Sequence, residues 1–392
     1  MTVPVTRRKA RTFLLLGAVS LLPLAGLAAC SSTPAATAPS EVVSPEATAP
    51  EAGVDIAALR EPFLDYTLPD GPIEGVAELA ASEVWYIPNS MQFPYFQVEA
   101  TMLEESLAEA GITLSTCSGE NSPTGVSACF DQAIGAGAAA IVGSGYGPNF
   151  AATAFELAAE KGIPVQLLNW EPEQHDDWGD DVLAYNAQLI QGTNAAADWA
   201  ISDAGGDTTI LTVAKADPSN IAEMTVTRKY IEAECPGCTV VEISVKSQDV
   251  ATLPSLVSAE LIKNPDIAYV IPQQPFMNQS VAAGIQTAGT TSVKLVIAEG
   301  LVGDLQNLEQ ANGVAAVVAK NRPYAIWQAT DQLLRMVTGS DLSAWTPELA
   351  TLRVFDETNI ADITLDDTSE LSAAWHGGDD FKASFLELWG LN

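Results

Sequence analysis

Val84-Trp85-Tyr86-Ile87-Pro88-Asn89-Ser90-Met91-Gln92-Phe93-Pro94-Tyr95-Phe96 is the stretch on which the fold turns. Its first four residues form a short apolar run that reads as a buried strand. From Phe96 to Ala110 the pattern changes period. Val98, Met102, Leu103 and Leu107 recur at helical spacing, and Gly111 stands where a C-cap belongs. Strand Ile112–Ser115, helix Val126–Ile134, strand Ala138–Val142, helix Phe150–Lys161 and strand Ile163–Leu168 follow in turn. Strands alternating with helices predict a parallel sheet with helices on both faces.

The alternation then starts again. A helix over Ile190–Ala204 leads to strand Thr208–Ala214, helix Ala222–Ala233, strand Val240–Val245 and helix Leu253–Asn264. Strand Ile267–Ile271, helix Asn278–Thr287 and strands Leu295–Ala298 and Val314–Ala319 complete it. Two consecutive α/β sets predict two Rossmann-like lobes. Such sheets take ligands outside the carboxyl ends of their strands, so two facing sheets put the crevice between the lobes.

Several segments in order give the chain a family likeness over roughly residues 82–355. These are Phe93-Pro94-Tyr95-Phe96 after the first strand, Gly162-Ile163-Pro164-Val165 before the fourth, Asn264-Pro265-Asp266-Ile267 and Gln286-Thr287-Ala288-Gly289. The chain resembles the type I periplasmic binding proteins, the ribose- and galactose-binding kind that serves ABC importers. The resemblance implies two lobes joined by a three-stranded hinge. The N-terminal lobe would be 82–184 plus 321–343, and the C-terminal lobe 185–320 plus 344–392. Asn321-Arg322-Pro323-Tyr324 fits the third crossing, with Pro323 opening the helix Ala325–Val337. Residues 54–81 would form a pre-domain segment draped over the first lobe.

The resemblance also implies a ligand site. Phe93, Tyr95 and Phe96 stand where sugar binders of this family sandwich the sugar ring between aromatic faces, which suit its apolar C–H surface. Asn169-Trp170 replaces the Asp-Arg or Asn-Lys pair at the end of the fourth strand. Met224 falls where the second lobe often has an Arg, Gln274 where it has an Asn, Glu299 where it has an Asp and Lys320 where it has a Gln. With two family cations replaced by Trp170 and Met224, the set suits a neutral, partly apolar ligand. A sugar comes first; a nucleoside, a glycoside or another small aromatic compound is the alternative. The family works without a cofactor. It closes as a hinged clamp on its ligand and docks, as a monomer, on a membrane permease with its ATPase subunits. A ligand-sensing subunit for a membrane receptor would share all these features.

The N-terminus carries its own message. Residues 1–29 hold Arg7, Arg8, Lys9 and Arg11, no acid, and an apolar run from Phe13. A basic region, an apolar stretch and small residues describe a secretory signal peptide, and Pro23 and Gly26 argue against a spanning helix. Leu27-Ala28-Ala29-Cys30 resembles a bacterial lipobox, implying acylation of Cys30 and anchoring to the outer face of the cytoplasmic membrane. Residues 30–53, rich in Ser, Thr, Pro, Ala and Glu, read as a flexible tether.

Charge narrows the partners. The 392 residues hold 17 Lys and Arg against 50 Asp and Glu, a formal charge of −33. Removing the four bases of the leader leaves 13 against the same 50, or −37. Such a surface repels a phosphate backbone, which excludes nucleic acid. Two histidines, His175 and His376, are too few for a His-rich metal site and fall in loops.

Cys117, Cys129, Cys235 and Cys238 remain after Cys30. In an exported protein they read as two disulfides, and of three possible pairings locality favours Cys117–Cys129 and Cys235–Cys238. Cys235-Pro236-Gly237-Cys238 follows a helix instead of opening one, so it reads as a structural bridge and not a redox or zinc motif. Gly143-Ser144-Gly145-Tyr146-Gly147 lacks phosphate-loop spacing and the G-x-S-x-G frame of a hydrolase, which leaves a tight loop and no catalytic residue. The acidic run Glu171–Asp181 lacks calcium-loop spacing and reads as a solvated loop. Apolar residues from Trp375 to Trp389 are spaced to dock a last helix on a lobe.

Overall fold

The computed structural model describes residues 55–64, 66–170, 182–185, 189–216, 218–342, 352–366, 371–372 and 374–391. The leader 1–29, Cys30, the tether 30–53 and the acidic run 171–181 lie outside the described residues.

In chain order the elements are α1 (Ile56–Arg60), β1 (Glu83–Pro88), α2 (Pro94–Glu109), β2 (Thr113–Thr116), α3 (Pro123–Ala136), β3 (Ala140–Ser144), α4 (Ala152–Glu160), β4 (Val165–Leu168) and β5 (Val182–Tyr185). Then come α5 (Leu189–Ala204), β6 (Thr209–Lys215), α6 (Pro218–Glu234), β7 (Thr239–Val245), α7 (Leu253–Lys263), β8 (Ile267–Pro272), α8 (Asn278–Ala288) and β9 (Lys294–Ile297). The chain ends with α9 (Val302–Glu309), β10 (Val314–Lys320), α10 (Arg322–Thr338), β11 (Leu352–Asp356) and α11 (Phe381–Leu388). Strands β5 and β11 and helices α1 and α9 have no counterpart in the pattern read from sequence, because each is short.

The strands form two sheets. The first has the order β2-β1-β3-β4-β5 and the second β11-β10-β9-β8-β6-β7. All pairings are parallel except β11, which runs antiparallel to β10. The period-2 geometry of a strand explains why its residues are apolar without interruption. Val84 and Tyr86 of β1 enter one core with α2 and α10, while Trp85 and Ile87 pack into another with α3 and α4. The second sheet is sandwiched likewise, with α7, α8 and α9 on one face and α5 and α6 on the other. Each sheet reverses strand order beside its first strand, between β1 and β3 and between β6 and β8, which opens a crevice at the carboxyl edge.

Asn321 makes the return crossing. Its side chain accepts the Tyr324 N–H at 3.2 Å and caps α10, whose first turn holds Pro323. α10 then packs on α2 in the first lobe; its Ala325, Trp327 and Leu333 join Leu103 and Leu107.

Two expectations need correction. The segment before residue 82 does not drape over the first lobe alone. Ile56 of α1 packs with Trp199 and Val354 of the second lobe, and Arg60 pairs with Asp356 at 2.5 Å, whereas Ile73 and Val76 enter the first-lobe core. The tail after 344 does not stay on the second lobe either. β11 joins the second sheet, but α11 returns to the first, where Phe381, Phe385 and Trp389 pack on α10. Trp327 and Trp389 stack with centroids 5.2 Å apart, and the Trp389 indole N–H donates to Asp331 at 2.9 Å. An aromatic face on α10 drew the tail back, because large rings are buried best against other rings. The two strays meet at the hinge. The Phe63 N–H donates to the His376 carbonyl at 2.7 Å, and the Tyr66 hydroxyl to the Gly378 carbonyl at 2.8 Å.

Both disulfides form as locality favours, Cys117–Cys129 and Cys235–Cys238. Among the described residues no helix is long and apolar enough to cross a membrane, and no group of three or more His, Cys, Asp or Glu is placed to hold a metal.

Candidate functional site

Between the carboxyl edges of the two sheets lies a cavity of about 470 Å³. Its walls differ in chemistry. The first lobe presents rings. Phe93 stands at the N-cap of α2, and Pro94 fixes the first helical turn so that Tyr95 and Phe96 follow on it. Phe93 and Tyr95 lie 6.3 and 5.4 Å from Phe96, edge to face. Tyr146, Phe150 and Trp170 complete the wall, with Tyr146 and Phe150 stacked at 5.8 Å.

The glycine-rich loop after β3 is what lets these rings in. A Cβ on Gly145, whose φ is +80°, would sit 2.7 Å from the Phe96 ring, and one on Gly147 would collide with the Trp170 indole. The loop is therefore a seat for aromatic side chains and not a phosphate cradle.

The second lobe presents polar groups. Lys215 ends β6, Asn220 and Glu223 stand three apart on α6, Lys246 follows β7, Gln274 follows β8 and Glu299 follows β9. Gln274 donates to the Asn220 side-chain oxygen at 2.6 Å, and neighbouring Gln273 donates to Glu223 at 2.7 Å. Glu299 is buried. Burial alone would raise its carboxyl, but the Lys320 ammonium at 2.9 Å and the Arg322 guanidinium at 3.7 Å outweigh burial and hold it below the usual value. Arg322 also sits over the Tyr95 ring, 5.3 Å from its centroid, so the charge cluster of the hinge touches the ring wall of the first lobe.

Seven residues proposed from sequence line this one cavity: Phe93, Tyr95, Phe96, Asn169, Trp170, Gln274 and Glu299. Two do not. Lys320 is 3% exposed and lies behind Glu299, bordering a hollow of about 20 Å³. Met224 is buried beside the site, and Glu223 lines it instead. One residue along a helix is about 100° around it, so a count from a distant landmark easily selects the wrong face. Asn89, Asn121, Asn220, Lys215 and Lys246 line the wall without having been singled out. Most stand just past a strand's carboxyl end, which is the signal that would have found them.

Residues 84–341 match the periplasmic binding protein domain family. No curated protein is matched by the chain in sequence. Among solved structures, a solute-binding protein of an ABC transporter from Agrobacterium vitis, bound with alpha-D-tagatopyranose, superimposes with a TM-score of 0.63 at 19% identity, over 76% of this chain and 100% of that one. The 5-methylthioribose transporter solute-binding protein from Thermotoga lettingae gives 0.65 at 15% identity, over 82% and 99%. The myo-inositol binding protein of Caulobacter gives 0.59 at 16% identity, over 75% and 97%. With two mostly parallel sheets facing across a cavity and a family match over most of the chain, this protein belongs to the periplasmic binding protein domain family.

Proposed function

We propose that this protein is an extracytoplasmic solute-binding lipoprotein of an ABC importer. It captures a small neutral ligand, a sugar in the first instance, between its lobes and delivers it to a membrane permease. The observation that supports this most is the two-sided cavity. Rings on one wall suit the C–H faces of a sugar, and amides and paired charges on the other suit its hydroxyls. Glu299 is already engaged by Lys320 and Arg322 at the floor, so its carboxylate does not call for a cationic ligand. The structural neighbours that carry tagatose, 5-methylthioribose and myo-inositol agree with a polyhydroxylated ligand.

The six rings of the first-lobe wall favour one variation, a sugar bearing an apolar substituent, such as a glycoside, a nucleoside or a thioalkyl sugar. The test is a thermal-shift and calorimetric screen of the chain from residue 55 onward against free sugars, inositols, nucleosides and methylthioribose. A compound that binds the folded chain raises the melting temperature, and the rise grows with the logarithm of its concentration above Kd. A complete panel without a shift defeats the reading. Export and anchoring are tested separately, by labelling with palmitate in the wild type and its absence in Cys30→Ser.

A further inference from the structure

Beneath the ring wall lies a carboxyl group that does not itself line the cavity. Glu99 stands one turn after Tyr95 on α2, at the i, i+4 spacing that places two side chains on one helix face, and is 4% exposed. Its polar neighbours are donors. The Tyr86 hydroxyl donates to Oε2 at 2.5 Å, the Asn169 amide donates to Oε1 at 2.7 Å, and the Ser144 hydroxyl also bonds it.

Asn169 is held by what surrounds it. One Nδ2 proton goes to Glu99; the other goes to Ser144 Oγ at 3.1 Å. Its Oδ1 faces Tyr95, whose hydroxyl donates to it at 2.9 Å. An amide turned over would set its oxygen against the Glu99 carboxylate and its NH₂ against the phenol's proton, so the carboxylate decides the orientation. The consequence reaches the ligand site, because Asn169 and Tyr95 both line the cavity. Both amide protons and the phenol proton are committed inward. Toward a ligand the pair turns only lone pairs, on Asn169 Oδ1 and Tyr95 Oη.

We propose that Glu99 is a positioning residue that makes this corner of the site acceptor-only, and that the ligand places an unsubstituted O–H or N–H donor against it. The proposal deepens the sugar-binding reading and rests on it for the ligand. Methylating the ligand's oxygen at that point removes the donor and sets acceptor against acceptor, which the site rejects.

The experiment has two arms. In the first, wild type and Glu99→Gln are titrated calorimetrically with D-tagatose, myo-inositol and 5-methylthioribose and with their mono-O-methyl ethers. For a sugar that binds, Glu99→Gln is expected to bind about ten-fold more weakly, the loss of about one buried hydrogen bond. Its Gln amide lets Asn169 turn over, so discrimination against one particular methyl ether also falls about ten-fold. The second arm needs no ligand. The side-chain amide signal of Asn169, identified by its loss in Asn169→Asp, is expected to exchange slowly with water in the wild type and about ten-fold faster in Glu99→Gln. Lost amide protection without binding of any sugar to the wild type sustains the role of Glu99 and defeats the ligand class. Unchanged protection and unchanged ether discrimination in a folded Glu99→Gln protein overturn the proposal. If that variant does not fold, Glu99→Asp takes its place, since it keeps the charge but draws the carboxylate back from the Asn169 amide; unchanged amide protection and unchanged ether discrimination there overturn the proposal equally.

Discussion

Phe93 of the first lobe and Phe276 of the second face each other across the cleft, their ring centroids 5.5 Å apart and their planes inclined at 45°. Phe93 caps α2, and Phe276 lies in the single turn between β8 and α8. The contact therefore joins two lobes whose cores are otherwise separate, and it forms beside the cavity that both residues line. A ring pair of this kind contributes about 0.5–1.5 kcal/mol beyond its buried area. Phe276→Ala is expected to weaken ligand binding about two- to ten-fold, by favouring separated lobes. Equal affinity in calorimetry would show that the contact plays no part in closure.

Trp170 is expected to matter more. Its indole lies over Gly147, which admits no Cβ there. Trp170→Ala removes a large part of the ring wall and is expected to cost about thirty-fold in affinity, near 2 kcal/mol, as central aromatic contacts do. Gly147→Ala displaces the same ring from the other side and should lower affinity in the same direction. Gly135→Ala, with open space around its Cβ, is the control and leaves binding unchanged. If Trp170→Ala binds as the wild type does, the ring wall is core packing and not a ligand surface.

The two α/β lobes were legible because alternation rests on local pattern, and most of the ring wall because its residues fall where the family resemblance places them. A run such as Val84–Ile87 declares a buried strand, whereas the helix read from Phe96 onward in fact begins at Pro94. What was not legible depends on partners distant in sequence. Glu99 looks like a solvated helix acid until Tyr86, Ser144 and Asn169 are seen to converge on it. Asn220 and Glu223 needed the rotational setting of α6, which a seventeen-residue helix of weak amphipathic pattern does not announce. Arg322 looked like hinge chain, and its role beside Glu299 and Tyr95 appears only when β9, α2 and the crossing come together.

Glu299 gives a pH signature with a definite sign. Its carboxyl is held below its usual value, against the effect of burial, by Lys320 and Arg322. A group depressed in the folded state contributes stability above its unfolded pKa, about 4.3 for Glu, and that contribution is lost as pH falls through the folded value. Glu299→Gln leaves the buried Lys320 ammonium without its carboxylate and is expected to destabilise the protein by about 3–5 kcal/mol near neutral pH. Denaturant titrations of both proteins should converge as the pH drops below about 4.3, because the wild type then loses the same charge. A stability gap that stays constant through that range would place the defect in packing and not in the ion pair.

Trp389 sets the last test, because its position decides which lobe the tail serves. The indole stacks on Trp327 with an interplanar angle of 6° and donates to Asp331, whose carboxylate also takes the Arg335 guanidinium at 2.7 Å. Arg335 in turn reaches the Gly71 carbonyl at 2.7 Å, so one buried network ties the tail, α10 and the segment before β1 to a single lobe. Trp389→Ala removes a fully buried ring and leaves one oxygen of Asp331 without its indole donor, and is expected to cost about 3–5 kcal/mol of stability. Trp389→Phe keeps a ring against Trp327 but loses the hydrogen bond and part of the buried indole, so a smaller cost of about 1–3 kcal/mol is expected. Hydrogen exchange then locates the damage. Faster exchange in α2 and α10, with β6 to β9 unchanged, is the result that a tail docked on the first lobe requires. Loosening confined to the second sheet would return the tail to the second lobe.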